Sequence, residues 1–341
     1  MTSENSSPNA AAPPLQDNFG RRVNYLRLSV TDRCDFRCLY CMADEMQFMP
    51  KKQLISYEEI LHIAAAFSAL GVSKIRVSGG EPLIRKDVVS LLRSLSAIPG
   101  IEELCITTNG SHLQQLAIPL RDAGVSQVNI SLDSLQPQRF KQLTRYGDLA
   151  QVLKGIAAAS QAGFAKIKIN TVLMRHFNLD EVLDLADFAL SRNMDIRFIE
   201  EMPLGEVSSH SRSAEFISSE ELKAILDRHY QLQAESPGLT DGPARNWSVN
   251  GYTAKVGFIS PHSENFCASC NRVRLSASGR LLLCLGNEHS VDLKQVVRSY
   301  PGDSQRLQAA ILEAMLIKPE QHHFDLNQAP QILRFMNATG G

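Results

Sequence analysis

Between about residue 24 and residue 200, short β-rich runs alternate about six times with longer helical stretches. This rhythm constrains the chain more than any other feature, because strands separated by helix-length connections must lie parallel in one sheet. The strands read as Tyr25–Thr31, Lys74–Ser78, Leu104–Thr108, Gln127–Ser131, Lys166–Val172 and Asp195–Ile199. The clearest helix follows Ser56, which forms a capping box with Glu59. Ile60, Ala64 and Phe67 make its apolar stripe, and Gly71 suits its end.

Along the first strand Leu26, Leu28 and Val30 alternate with Arg27, Ser29 and Thr31, so one face is apolar and the other polar. The split recurs for Ile75 and Val77 against Lys74 and Arg76, for Val128 and Ile130 against Asn129 and Ser131, and for Ile167 and Ile169 against Lys168 and Asn170. Helices must cover the apolar faces, and the polar faces then line a shared concavity. A closed eight-stranded barrel packed with Val, Ile and Leu has no room for it. The prediction is an α/β fold built on an incomplete, open (βα)6 barrel with a wet interior. Arg27, Lys74, Arg76, Lys168 and Arg197 sit on its strands or strand ends. A solvated edge is one explanation of these cations. The other is convergence on an anionic ligand, for which a polyphosphate fits best.

With 35 Lys+Arg against 36 Asp+Glu the chain has no global excess of positive charge. An anion must therefore be gripped by a local cluster, and a nucleic-acid or membrane-surface binder is disfavoured. Residues 1–19 are rich in Ser, Ala, Pro and Asn, lack the basic start and apolar stretch of a signal peptide, and read as a disordered extension. With no apolar run of roughly 18 to 20 residues, the expectation is a cytoplasmic protein. Residues 20–214 form the predicted barrel. From 215 to 341 the pattern changes to a helix at Glu220–Tyr230, strands near Thr253–Phe258 and Val273–Leu283, and helices at Leu293–Ser299 and Ser304–Lys318, an α+β extension.

Seven cysteines fall as two triplets and a singleton, an odd framework for disulfides and closer to metal or redox spacing. Cys105, inside an apolar run, reads as a buried core residue. Cys34-x3-Cys38-x2-Cys41 follows the first strand directly, at the mouth where βα architectures place their sites. Three thiolates leave one iron of a cubane free for an exogenous ligand. A structural zinc needs a fourth protein donor, and none lies close in sequence. Cys267-x2-Cys270-x13-Cys284 is a second triplet, with His262 and His289 as candidate fourth ligands. There zinc and iron–sulfur both remain open. Arg272 and Arg274 share a strand face inside that loop.

The first triplet, with aromatic Tyr40 inside it, resembles the radical S-adenosylmethionine signature, and Gly79-Gly80-Glu81-Pro82 resembles that superfamily's methionine-binding turn. The runs 27–34, 74–82, 107–110, 170–174, 197–202 and 267–274, with the terminal Gly340-Gly341, resemble the GTP 3′,8-cyclases that begin molybdenum-cofactor synthesis. This likeness implies a carboxy-terminal α+β extension carrying a second [4Fe–4S] cluster, so that Cys34, Cys38 and Cys41 hold one cluster and Cys267, Cys270 and Cys284 the other. It implies S-adenosylmethionine contacts at Tyr40, Gly80, Glu81, Ser131 and Met202. It further implies GTP contacts at Arg27, Lys74, Arg76, Thr107, Lys168, Arg197, Arg272 and Arg274. Arg272, Arg274 and a tail ending in Gly340 and Gly341 would serve catalysis.

The implied reaction is abstraction of the ribose 3′ hydrogen by a 5′-deoxyadenosyl radical, attack on guanine C8, then reduction and protonation to 3′,8-cyclo-7,8-dihydro-GTP. An external electron donor and a downstream cyclic pyranopterin monophosphate synthase are the implied partners. The family is often homodimeric, and this sequence has no interface signature. Three departures stand out: Asp35 where Asn is usual, Thr339 where an aliphatic residue is usual, and the amino-terminal extension. The rivals are a peptide-modifying radical enzyme, whose relatives usually carry more carboxy-terminal cysteines, and a non-catalytic zinc or redox protein.

Overall fold

A computed structural model describes residues 14–340 except 208, 237, 239, 240 and 329. Its parallel strands are β1 (Tyr25–Ser29), β2 (Lys74–Ser78), β3 (Glu103–Thr108), β4 (Gln127–Ser131), β5 (Lys166–Leu173) and β6 (Asp195–Glu200). They stand in sequential order in one sheet. Helices α1 (Tyr57–Ala69), α2 (Val88–Ser96), α3 (Leu113–Asp122), α4 (Pro137–Thr144), α5 (Leu149–Ala162) and α6 (Val182–Leu190) connect them. The capping box on α1 is formed as expected. Leu26, Leu28, Ile75, Val77, Val128, Ile130, Ile169 and Ile196 are buried in one continuous core with the helices, which leaves the polar alternates to the concave face.

After residue 200 come α7 (Arg212–Glu215), α8 (Ser219–Asp227), β7 (Leu232–Ala234), β8 (Arg245–Val249) and β9 (Lys255–Ile259). Then follow β10 (Arg272–Leu275), β11 (Arg280–Leu282), β12 (Ser290–Asp292), α9 (Leu293–Ser299), α10 (Ser304–Met315) and α11 (Met336–Thr339). These strands join the same sheet at both edges. β9 pairs parallel with β6, and β10 pairs parallel with β1, with Arg27 opposite Arg274. The predicted strand at 273–283 is thus the hairpin β10–β11. The sheet runs from β12 to β7 and does not close. No described helix is long and apolar enough to cross a membrane.

Element ends shift by up to three residues, as where α8 stops at Asp227 instead of Tyr230, and two differences bear on the site. Residues 1–13 of the amino-terminal extension lie outside the described residues, but residues 14–19 are built into the fold: Leu15 is buried and its N–H donates to Leu70 O at 3.1 Å. Asp17, also buried, holds Arg21 in an ion pair of 2.6 Å. Arg21 donates in turn to the carbonyls of Cys267 (3.0 Å), Pro319 (2.7 Å) and Glu320. Composition had suggested disorder, and one apolar residue and one buried ion pair outweigh it. Asp17→Ala strands a buried guanidinium, so we expect it to lower the unfolding free energy by about 3 kcal/mol. The urea midpoint of the anaerobically purified chain reads this directly. The second difference is α10, which stops at Met315 instead of Lys318, because Pro319 disfavours helical backbone at the residue before it.

Candidate functional site

One cavity opens on the concave face of the sheet, and all six cysteines of the two triplets line it. The first triplet sits on the loop after β1. Gly79 and Gly80, after β2, brace that loop at close range: Gly80 N–H donates to Thr31 O at 2.7 Å, and a Cβ on Gly79 would stand 2.7 Å from the same oxygen. Side chains at these positions would push the loop away, so the glycines fix where the thiols stand.

Glu81, for which the resemblance implies an S-adenosylmethionine contact, stands apart from the other residues of that set. Its carboxylate is fully buried and is not part of the cavity lining. It accepts from Leu83 N (3.0 Å), Thr108 Oγ1 (2.7 Å) and Asn109 N (2.7 Å). Burial pushes its pKa up to about 8, against those three donors, which favour the ionised form. Glu81 therefore ties the glycine turn to the end of β3, and it is Gly79 and Gly80 that face the cavity.

Tyr40, Ser131 and Met202 do line the cavity. Tyr40 donates to Asp133 Oδ2 at 2.7 Å, while Asp133 Oδ1 accepts from Val172 N at 2.9 Å. Asp35 is accommodated by Asn109 Nδ2 and Ser111 Oγ, each at 2.7 Å, so an ionised side chain is satisfied at that position.

The cations lie in two rows across adjacent strands. Arg274, Arg27 and Arg76 occupy matched positions on β10, β1 and β2, and Arg272, Tyr25 and Lys74 form the next row. Like charges side by side on neighbouring strands repel. Arg76 is held by Tyr25 Oη (2.6 Å) and Gln127 Oε1 (2.8 Å), and Lys74 by Glu103 at 2.8 Å. The others show the cost of the arrangement. Burial, then repulsion from Arg27 and Arg272, holds Arg274 well below the usual guanidinium range. Burial, then Arg197, drops Lys168 to about 6.

Further along the same face Thr107 Oγ1, Asn129 Oδ1, Asn170 Oδ1 and Arg197 Nε are buried without hydrogen-bond partners, and all four residues line the cavity. Orphaned polar atoms on four consecutive strands mark a place for a polar ligand. Asn129 was visible in the strand alternation but lay in no motif, and Asn170 opens the run 170–174 but was not assigned a contact.

The second triplet has neighbours that no sequence spacing announces. His322 Nε2 donates to Pro261 O at 3.0 Å, which leaves Nδ1 to accept from Cys267 Sγ at 2.9 Å. Lys318 Nζ lies 3.5 Å from Cys270 Sγ. The two histidines proposed from sequence do not line the cavity: His262 donates to Glu201 O at 2.8 Å, and His289 is exposed. Burial raises the thiols of Cys34, Cys38, Cys41 and Cys267. Cys270 instead falls to about 7, since Arg272 and Lys318 outweigh burial.

All six thiols are free of disulfides. Among the described residues no three His, Cys, Asp or Glu side chains stand close enough to share one ion.

Cys105 is buried as read from sequence, but on the cavity side of β3. It lies against Glu103 (3.2 Å) and opposite Arg76, outside the helix-covered core. The carboxy-terminal tail enters the cavity region: Gly340 O accepts from Arg274 Nη1, Asn337 Nδ2 donates to Asp32 O at 2.8 Å, and Met336 N donates to Cys41 O at 3.3 Å. Thr339 is buried, with its hydroxyl bonded to Met336 O at 3.0 Å. Its polar group is thereby satisfied where an aliphatic residue is usual. Gly341 lies outside the described residues.

A parallel βα sheet with three thiols on the loop after its first strand defines a radical S-adenosylmethionine protein. The Radical SAM superfamily model matches residues 28–189, and the Molybdenum Cofactor Synthesis C model matches 194–324. A solved structure of Streptococcus suis SuiB bound to S-adenosylmethionine has the same fold, with TM-score 0.59 at 15% identity, covering 93% of this chain and 77% of that one.

The chain belongs to the GTP 3′,8-cyclase family. It is 62% identical to the GTP 3′,8-cyclase of Saccharophagus degradans, over 96% of this chain and 98% of that protein. It is 58% identical to that of Pseudomonas entomophila over the same shares. Membership implies S-adenosylmethionine and an iron–sulfur cluster.

Proposed function

We infer that this chain converts GTP to 3′,8-cyclo-7,8-dihydro-GTP, the first step of molybdenum-cofactor synthesis. The observation that carries this reading is the arginine row of β10, β1 and β2, facing a cavity lined by both thiol triplets. In this reading Cys34, Cys38 and Cys41 hold one [4Fe–4S] cluster with S-adenosylmethionine, which supplies a 5′-deoxyadenosyl radical when bound. Cys267, Cys270 and Cys284 hold a second cluster. Tyr40, Gly80, Ser131 and Met202 shape the cofactor pocket, and Glu81 positions its turn.

Arg27, Lys74, Arg76, Lys168, Arg197, Arg272 and Arg274 grip the triphosphate and orient the nucleotide. Thr107 supplies one of the unpartnered oxygens on that face. Gly340 orients Arg274, and Gly341 extends the tail. Residues 20–214 serve as the radical barrel and 215–341 as the second-cluster region. A downstream cyclic pyranopterin monophosphate synthase, an external electron donor and a homodimeric assembly complete the proposal.

The test is anaerobic incubation of the reconstituted, reduced chain with S-adenosylmethionine and GTP, followed by mass spectrometry. We expect 5′-deoxyadenosine and cyclised GTP together. Deoxyadenosine without GTP conversion would reject the substrate.

The cation cluster also makes a proton-linked prediction. Lys168, at about 6 in the empty cavity, is largely neutral at pH 7.5, and a polyphosphate beside it raises its pKa. GTP binding at that pH should therefore take up about one proton per chain. Calorimetry in buffers of different ionisation enthalpy measures the uptake. Lys168→Met should remove it.

A further inference from the structure

We propose that Lys318 is the counter-ion of the second cysteine triplet and raises the reduction potential of the cluster held there. The inference rests on the two-cluster reading above. Lys318 is 3% exposed, and among the described residues its ammonium meets only Cys270 Sγ at 3.5 Å and Leu283 O at 3.0 Å. No described carboxylate pairs with it. A buried ammonium without an opposite charge is strongly disfavoured, so its counter-charge must be the sulfur site itself.

The helix end and its flanking contacts hold it there. α10 ends at Met315, and Leu316 and Ile317 turn outward, 61% and 52% exposed. Pro319 blocks further helix at Lys318. Arg21 grips the carbonyls of Pro319 and Glu320 with the same guanidinium that holds Cys267 O.

The first triplet has the opposite surroundings. Cys34 lies 3.8 Å from Asp35, and Cys38 lies near Asp133. A cubane with three thiolates carries one net negative charge when oxidised and two when reduced by one electron. A fixed cation therefore favours reduction at the second site, while neighbouring carboxylates oppose it at the first. The electron comes from an external low-potential one-electron donor, reduced viologen in the test, and no bond to Lys318 forms or breaks.

The experiment is a redox titration followed by electron paramagnetic resonance. It uses full-length chain in which Cys34, Cys38 and Cys41 are alanine, so that only the second site is read. At a fixed potential Lys318→Met should leave about tenfold less reduced cluster, a shift of about 59 mV for one electron. Lys318→Arg, which keeps the charge, should stay within about twofold, by the same relation.

An unmoved potential in Lys318→Met, or an equal shift in both variants, overturns the inference. If Lys318→Met folds but assembles no cluster while Lys318→Arg does, the need for charge stands. Failure of both overturns it. Iron analysis of the unsubstituted chain separates the two readings. Fewer than about eight irons per chain sinks the two-cluster reading itself, whereas a full complement with an unmoved potential sinks only the role of Lys318.

Discussion

Cys38→Ala is expected to abolish 5′-deoxyadenosine formation, a loss of at least about 10⁶-fold that returns the reaction to the uncatalysed level, whereas Cys270→Ala should still form deoxyadenosine but no cyclised GTP. Both triplets line one cavity, and in the two-cluster reading only the first generates the radical, so their losses should separate radical generation from use of the nucleotide. Alanine at 38 removes one of three soft thiolate donors on which the metal site depends. Chromatography of anaerobic reaction mixtures measures both products. Equal loss of deoxyadenosine in the two variants would contradict the division of labour.

Gly340→Ala should reduce GTP conversion by at least about 100-fold, the cost of a misplacement near 1 Å in an active site, with little change in stability. Gly340 has φ +74°, a conformation that costs an L-residue about 1–2 kcal/mol, and a Cβ there would overlap Ser78 Oγ. Both effects drive the tail out and release Arg274 from the Gly340 carbonyl. Ser78→Gly in the same chain removes the overlap but not the strained φ, so partial recovery is expected. Steady-state turnover of the three proteins, with thermal unfolding as the control for folding, measures this.

The barrel and its polar face were legible because the information is local: a period of two along Leu26–Thr31 or Lys166–Val172 needs no partner strand to be read. The pairing of β10 with β1 was not, since nothing near Arg272 names a strand almost 250 residues earlier as its neighbour. The triple row Arg274–Arg27–Arg76 therefore appears only in three dimensions. Glu81 shows a different limit. Its motif located the turn, but whether the carboxylate faces the cavity or Thr108 depends on how β3 ends beside it. Lys318 and His322 carry no motif, and only Pro319 signalled that α10 ends before them. The amino-terminal residues 14–19 misled by composition, because Leu15 and Asp17 find partners at Leu70 and Arg21 that polar, Pro-rich sequence does not advertise.

The most direct test of GTP cyclisation is the fate of one hydrogen. Anaerobic turnover of GTP deuterated at the ribose 3′ carbon, followed by mass spectrometry of the nucleoside product, should give 5′-deoxyadenosine carrying one deuterium together with cyclised GTP that has lost it. Deoxyadenosine without deuterium, formed while GTP is consumed, would contradict hydrogen abstraction at that position.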